Sequence, residues 1–199
     1  MKKETENVNY EIEYKYLINK LPFDKNDLNG DIKKKYIEQV YFKTNDDKNE
    51  LLKKKVKLES INNISTFRVR KIKEKSEVYY VLTLKSKGEL YREEYECFLN
   101  EEEYNYLSEE IESVIIKNRY VKCINYNNKE YTFEFDEYLN LNTDLLTCEV
   151  EVDSTDKTLK DEIEYILKNI INIEFVDVTK ENKYKNKYLV ENFGLKPID

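Results

Sequence analysis

The chain has 199 residues, 38% of them charged and 40% hydrophobic, with a formal net charge of −7 and a pI near 5.1. That length builds one good core and is short for two independent ones, so a single domain over residues 1–199 is expected, and the acidic balance argues against bulk binding to nucleic acid or anionic membranes. The absence of His excludes histidine bases, Ser-His triads and His-ligated metals, and 3 Gly are too few for a clustered phosphate-binding loop.

In chain order, residues 1–8 read as a polar lead-in. A first strand is expected from about Asn9 to Ile18, ended by Leu21, Pro22 and Phe23. Asp24 to Lys35 reads as a short helix, and Tyr36 to Lys43 as a second strand. Asn45 to Asn63, rich in Asn, Asp, Lys and Glu, is expected to be a long excursion, part of it a hairpin. From Ser65 the pattern sharpens: STFRVRKI, VYYVLTLKS and LYREEYECF are three β-rich runs with short polar turns, the second marked by Lys87 and Gly88. Asn100 followed by Glu103 is a capping box that opens a helix to about Glu112. Strands resume at Val114–Tyr126, Glu130–Tyr138 and Leu145–Val152. Ser154 or Thr155 is the expected cap of a helix with Leu159, Ile163, Ile166, Leu167 and Ile170 at helical spacing. A last helix over about Lys180–Asn192 is expected to stop at Gly194, with Pro197 beyond.

Side chains alternate across a strand, so each strand can be sorted by face. Glu11, Glu13 and Lys15 share one side of the first strand. Arg68 and Arg70 share a side, as do Thr83, Lys85 and Lys87, then Arg92, Glu94 and Glu96. Lys117 and Arg119, Glu134 and Asp136, and Glu149 and Glu151 repeat the arrangement. Each face could simply be wet. Yet the opposite faces are apolar and need cover, which the helices after Asn100 and Ser154 can supply from outside. The charged faces then line the inside of a curled antiparallel sheet. Burying so many charges costs several kcal/mol per ion unless each is paired, hydrated or ligand-bound. An α+β fold follows, an eight-stranded antiparallel barrel with helices packed outside.

Cys97, Cys123 and Cys148 are odd in number, widely spaced and without a CxxC pair. This argues against a disulfide framework or a zinc site and for reduced thiols. Neither a signal peptide nor a membrane span is read in the sequence, and a cytoplasmic protein without membrane partners is expected.

The ordered series resembles the CYTH superfamily, the triphosphate tunnel metalloenzymes, which includes inorganic triphosphatases, thiamine triphosphatases and class IV adenylyl cyclases. The series is ExExK at 11–15, RVR at 68–70, LTLKSKG at 82–88, REEYE at 92–96, KNR at 117–119, FEFD at 133–136 and CEVEV at 148–152. DVTKENKYKN at 177–186 closes it and is similar to the family's VTxDxRYxN segment. The resemblance implies that Glu11, Glu13, Glu149 and Glu151 hold Mg²⁺ or Mn²⁺, ions that favour hard oxygen ligands. It implies that Lys15, Arg68, Arg70, Lys85, Arg92, Lys117, Arg119 and Lys183 hold phosphate oxygens. Glu96, Glu134 and Asp136 would be supporting carboxylates. Glu94 and Glu13 are candidates to orient an attacking water, with Lys85 and Lys183 in catalytic roles. Lys183, where Arg is commoner, departs from the pattern.

The activity so implied is metal-dependent hydrolysis of a triphosphate, foremost inorganic tripolyphosphate, to release orthophosphate. ATP and thiamine triphosphate are further candidate substrates. The alternatives are cyclisation of ATP to cyclic AMP and pyrophosphate, and non-catalytic binding of polyphosphate or nucleotide. Phosphoryl transfer depends mainly on positioning and electrostatics, so a site without His is chemically adequate.

Overall fold

A computed structural model describes residues 8–26, 28, 30–59, 62–87, 92–152 and 156–196. Among the described residues there are nine strands: β1 Val8–Ile18, β2 Ile32–Phe42, β3 Ile64–Glu74, β4 Glu77–Ser86, β5 Arg92–Leu99, β6 Ile111–Tyr126, β7 Lys129–Tyr138, β8 Leu146–Val152 and β9 Phe175–Asp177. Four α-helices accompany them: α1 Asp46–Val56, α2 Glu101–Leu107, α3 Lys157–Tyr165 and α4 Leu189–Phe193. The strands are hydrogen-bonded in the order β5-β4-β3-β2-β6-β7-β8-β1-β9, and β5 also pairs with β1. With β5 also paired to β1, the hydrogen-bonded pairings link β1 to β8 in a continuous series, and β9 adds to β1. The expected α+β class holds.

The chain divides into two compact units, one of residues 1–11 and 38–114, the other of residues 12–37 and 115–199. The dividing points fall inside β1, β2 and β6. In the first unit, Val40, Phe42, Val69, Leu82 and Leu84 pack against Leu52 of α1 and Tyr104 and Leu107 of α2. In the second, Tyr16, Phe133, Phe135, Cys148 and Val150 pack against Leu159 and Ile163 of α3 and against Ile166 and Leu167 of the π-helical turn that continues it. A smaller cluster in the second unit joins Ile115, Tyr138, Leu141 and Leu189 of α4. In both units the strand residues in the large clusters are those the period-two pattern assigns to the apolar face, and helices cover them.

Local chemistry explains the elements. Asn100 accepts from the Glu103 backbone N–H at 2.8 Å, and Glu103 accepts from the Asn100 N–H at 3.0 Å, completing the capping box. The helix so opened ends at Leu107, several residues before Glu112, because β6 begins at Ile111. Gly194, at φ +67°, ends α4 in the left-handed region that favours glycine.

Three expectations are corrected. Asp24–Lys35 is not a helix among its described residues. Asp24 accepts from the Asn26 N–H in a local turn, and β2 begins at Ile32. Asn45–Asn63 is not a hairpin. Asn45 caps α1 by accepting from Lys48 N at 2.9 Å, with Asp46 and Asp47 in the first turn and Lys53, Lys54 and Lys55 in the last, matching the helix dipole. The segment expected as one helix over Lys180–Asn192 is instead two 3₁₀ turns, Asn182–Tyr184 and Asn186–Tyr188, followed by the short α4. The α3 cap is Asp156, which accepts from the Thr158 N–H. Ser154, Thr155, Gly88 and Pro197 lie outside the described residues. Among the described residues no helix is long and apolar enough to cross a membrane.

Ile163 is fully buried in the larger cluster of the second unit. Ile163→Ala should lower unfolding stability by about 2–5 kcal/mol. Urea denaturation followed by circular dichroism measures it.

Candidate functional site

The face of the second unit's strands opposite the aromatic core is where the charges gather. β1 and β8 pair with Glu13 opposite Glu151 and Lys15 opposite Glu149, and β7 and β8 pair with Glu134 opposite Glu149. β6 and β7 set Arg119 opposite Asp136 and Lys117 opposite Tyr138. This register stacks Lys15, Lys117, Arg119, Glu134, Asp136 and Glu149 on adjoining strands, each on the face opposite Phe133, Phe135 and Val150.

The six neutralise one another. Lys15 Nζ donates to Glu149 Oε1 at 2.7 Å. Arg119 donates to Asp136 Oδ1 and Oδ2, each at 2.7 Å, and also to Glu134 and to Glu149. Lys117 Nζ donates to Asp136 Oδ2 at 2.6 Å. Glu134 and Glu149, like charges placed directly opposite, would repel; the Arg119 guanidinium bonds both. Lys15, Lys117, Arg119, Asp136 and Glu149 are all buried, Asp136 completely. These are inner-face charges, not a wet surface.

Their titration reflects the same balance. Burial works to lower the Lys15 ammonium, but Glu149, with smaller help from Tyr138 and Glu13, lifts it above its ordinary value. Burial works to raise the Glu149 carboxyl, and Lys15, Lys117 and Arg119 hold it well below the usual carboxylate range. Lys117 differs: burial first, then the nearby Arg119 charge, push it below the ordinary lysine value despite Asp136 and Glu149.

In the first unit, Arg68 of β3 faces Thr83 of β4, which faces Glu96 of β5. Arg68 and Arg70 both donate to Thr83 Oγ1, at 3.0 and 3.2 Å, and Thr83 donates to Glu96 Oε1 at 2.6 Å. Arg70 also bonds Glu96, and Arg68 reaches Glu94 at 3.5 Å. Lys85 pairs with Glu94 at 3.3 Å. Burial would raise the Glu96 carboxyl, but Arg70 and Arg68 bring it below its ordinary value. Glu94 and Glu96 therefore hold the basic side chains extended along the sheet.

Other expected site residues fall differently. The side chains of Glu11 and Arg92 lie outside the described residues, although their backbones are partners across β1 and β5. Among the described residues no three acidic or thiol side chains converge as a ready metal cluster. Glu149 has both oxygens on cations. The half-buried Glu13 and the exposed Glu151 face each other beside it. That pair of hard oxygen donors, like-charged and directly opposed, has the chemistry a divalent cation requires.

Lys183 does not reach inward from a helix. It is 53% exposed, pairs with Glu181 at 3.2 Å and lies over the Tyr184 ring. The residue of that segment that enters the charged face is Asn186, whose Oδ1 accepts from Lys15 Nζ at 3.1 Å and from Tyr138 Oη at 2.6 Å. Sequence reasoning gave no role to Asn186 or Tyr138, and placed Thr83 on the charged face without assigning it one. Their uncharged side chains give no signal in a search for charge pairs, although Tyr138 and Thr83 sit at the correct alternation.

Solved structures share this fold. A proposed adenylyl cyclase from Hippeastrum, reported to have a dominant triphosphatase activity, superposes with a TM-score of 0.52 at 15% identity, covering 90% of this chain and 94% of its own. A protein from Pyrococcus horikoshii OT3 gives 0.53 at 19% identity, over 84% of this chain and 93% of its own. A proposed adenylate cyclase from Bacillus halodurans gives 0.51 at 21%, over 87% and 94%. No protein-family model matches the sequence, and no curated protein sequence resembles it at a significant level. The likeness is one of fold alone.

Asp136→Asn should destabilise the protein by about 3–5 kcal/mol, because Lys117 and Arg119 lose the carboxylate that both bond while remaining buried. Lys117→Met should cost less, since Asp136 keeps Arg119. Thermal unfolding of the two variants gives the order.

Proposed function

We propose that the protein is a divalent-metal-dependent triphosphatase, and that inorganic tripolyphosphate is the substrate that fits best, with orthophosphate released. One observation carries this: Lys15, Lys117 and Arg119 are buried side by side on one sheet face, held extended by carboxylates. Densely placed, desolvated cations with fixed geometry suit a compact polyanion. The triphosphatase activity reported for the Hippeastrum protein of the same fold supports the class. Lys15, Lys117 and Arg119 would take phosphate oxygens. Arg68, Arg70 and Lys85 on the other unit, with Arg92, are cations of the same kind.

Glu13 and Glu151, with Glu11 and Glu149, would hold Mg²⁺ or Mn²⁺, which when bound supplies charge stabilisation at the phosphoryl oxygens and a more acidic water. Arg119 and Lys117 would neutralise charge developing on the phosphates. Glu13 would orient the attacking water. Lys183 is left out of this assignment by its exposed pairing with Glu181. Cys97, Cys123 and Cys148 form no disulfide, and a cytoplasmic setting is part of the proposal.

A second reading keeps the site and changes the nucleophile: a ribose 3′-hydroxyl attacks the α-phosphorus of ATP, forming cyclic AMP and pyrophosphate. The adenylyl cyclase names of two proteins sharing the fold are what favour it. Incubation with tripolyphosphate, ATP and thiamine triphosphate in Mg²⁺ or Mn²⁺, with the products resolved, separates the readings. Orthophosphate from tripolyphosphate is expected. Cyclic AMP with pyrophosphate would replace the proposal with the cyclase. Tight binding without turnover would mean a non-catalytic sensor.

The charge balance sets a further expectation. On the second unit three cations, Lys15, Lys117 and Arg119, are matched by three carboxylates, Glu134, Asp136 and Glu149. A polyanion that takes the cations leaves carboxylates uncompensated unless a divalent cation joins them. Mg²⁺ and tripolyphosphate should therefore strengthen each other's binding by about tenfold or more. Calorimetric titration of each ligand in the presence and absence of the other reads this. Glu13→Gln should remove most of the coupling with the fold intact.

A further inference from the structure

We propose that Asn186 is a positioning residue for anion binding, holding the Lys15 ammonium and the Glu149 carboxylate in place through a single side-chain amide. This rests on the reading that the charged face of the second unit binds triphosphate.

Lys15 is gripped at both ends by one stretch of the C-terminal segment. Its backbone N–H donates to Thr179 Oγ1 at 3.1 Å, and its carbonyl accepts from Val178 N at 2.9 Å. Its Nζ donates to Asn186 Oδ1 at 3.1 Å. Tyr138 Oη donates to the same Oδ1 at 2.6 Å, and Asn186 Nδ2 donates to Glu149 Oε1 at 3.4 Å. With two donors on its oxygen and an acceptor facing its nitrogen, the amide has only one orientation that satisfies all three neighbours. The segment is fixed three residues further on, where Leu189 is fully buried against Ile115, Tyr138 and Leu141. Ile115 and Tyr138 lie on the same strand faces as Lys117 and Asp136, so this apolar plug seals one end of the charged face.

A neutral amide is the right chemistry for the position. When a phosphate oxygen replaces Glu149 as the partner of Lys15, Oδ1 can still hold the ammonium while Nδ2 offers a donor to the incoming anion. A carboxylate there would hold Lys15 but repel the anion. An apolar group would leave the ammonium with fewer fixed acceptors. Asn186 thus acts through Lys15.

Asn186→Ala and Asn186→Asp are compared with the full wild-type chain by tripolyphosphate titration in Mg²⁺. In parallel, the side-chain ammonium resonance of Lys15 is followed by ¹⁵N NMR, since it is seen as a sharp signal only when the group is buried and hydrogen-bonded. Asn186→Ala should weaken binding about tenfold, the scale of one charge-assisted hydrogen bond, and broaden the Lys15 signal. Asn186→Asp should keep the Lys15 signal yet bind tripolyphosphate more weakly than the Ala variant. Wild-type affinity with an unchanged Lys15 signal in Asn186→Ala would overturn the inference. So would an Asp variant that binds as well as wild type. If Asn186→Ala does not fold, Tyr138→Phe removes the hydroxyl that seats Oδ1 and should broaden the same Lys15 signal; an unchanged signal refutes the proposal. Wild-type protein that does not bind tripolyphosphate at all refutes the triphosphatase reading, while the Lys15 resonance still decides whether Asn186 positions the ammonium.

Discussion

The mutual neutralisation of Lys15, Lys117 and Arg119 by Glu134, Asp136 and Glu149 is the constraint around which the second unit is arranged. An ion taken out of water carries a penalty of several kcal/mol, and only close, multiply bonded partners offset it. Arg119 meets that requirement by bonding three carboxylates at once, including the opposed pair Glu134 and Glu149 that would otherwise repel across β7 and β8. A slip of one residue in either pairing would send these charges into the aromatic core and the aromatics onto the charged face. The network therefore enforces register as well as filling space.

The arrangement of the rest follows. With one sheet face given over to charge, the apolar core forms on the other, under α3 and its π-helical extension in the second unit and under α1 and α2 in the first. Such a fold spends much of its polar inventory where an ordinary sheet would place Leu and Val. In the proposed triphosphatase these cations are already desolvated and already aimed, the preorganisation that phosphoryl chemistry relies on when no histidine is available. The carboxylates have a double part here. They keep the cations extended, and in the proposed function they would be the oxygen donors a divalent ion takes up once phosphate has claimed the cations.

Much of this was readable in the sequence because strands write their faces at period two. EIEYK, FRVR, FEFD and CEVEV each separate charge from apolar residues, and the alternation survives intact as buried Lys15, Arg68, Asp136 and Glu149. The capping box at Asn100 and Glu103 was equally legible, since it depends on only four residues. The misread stretches are those where local composition is ambiguous. Asn45–Asn63 carries few apolar residues, so its helix announces itself only through the Asn45 cap and the charge gradient from Asp46 to Lys55. Asp24–Lys35 looks helical by composition, but pairing within the sheet claims its end as β2. Lys183 comes from the resemblance as the segment's basic residue, while Asn186, in the same segment, is given no role.

Local alternation and capping chemistry were enough to name the class of fold, the charged faces and most of the basic and acidic residues on them, because those properties belong to neighbours along the chain. Which carboxylate neutralises which cation belongs to residues far apart in sequence: Lys15 to Glu149, Arg119 to Glu134, Asp136 and Glu149. The same holds for Asn186, brought to Lys15 by two 3₁₀ turns and the burial of Leu189. Strand register and the docking of the C-terminal segment make those assignments, and both are settled by long-range packing that no local pattern encodes.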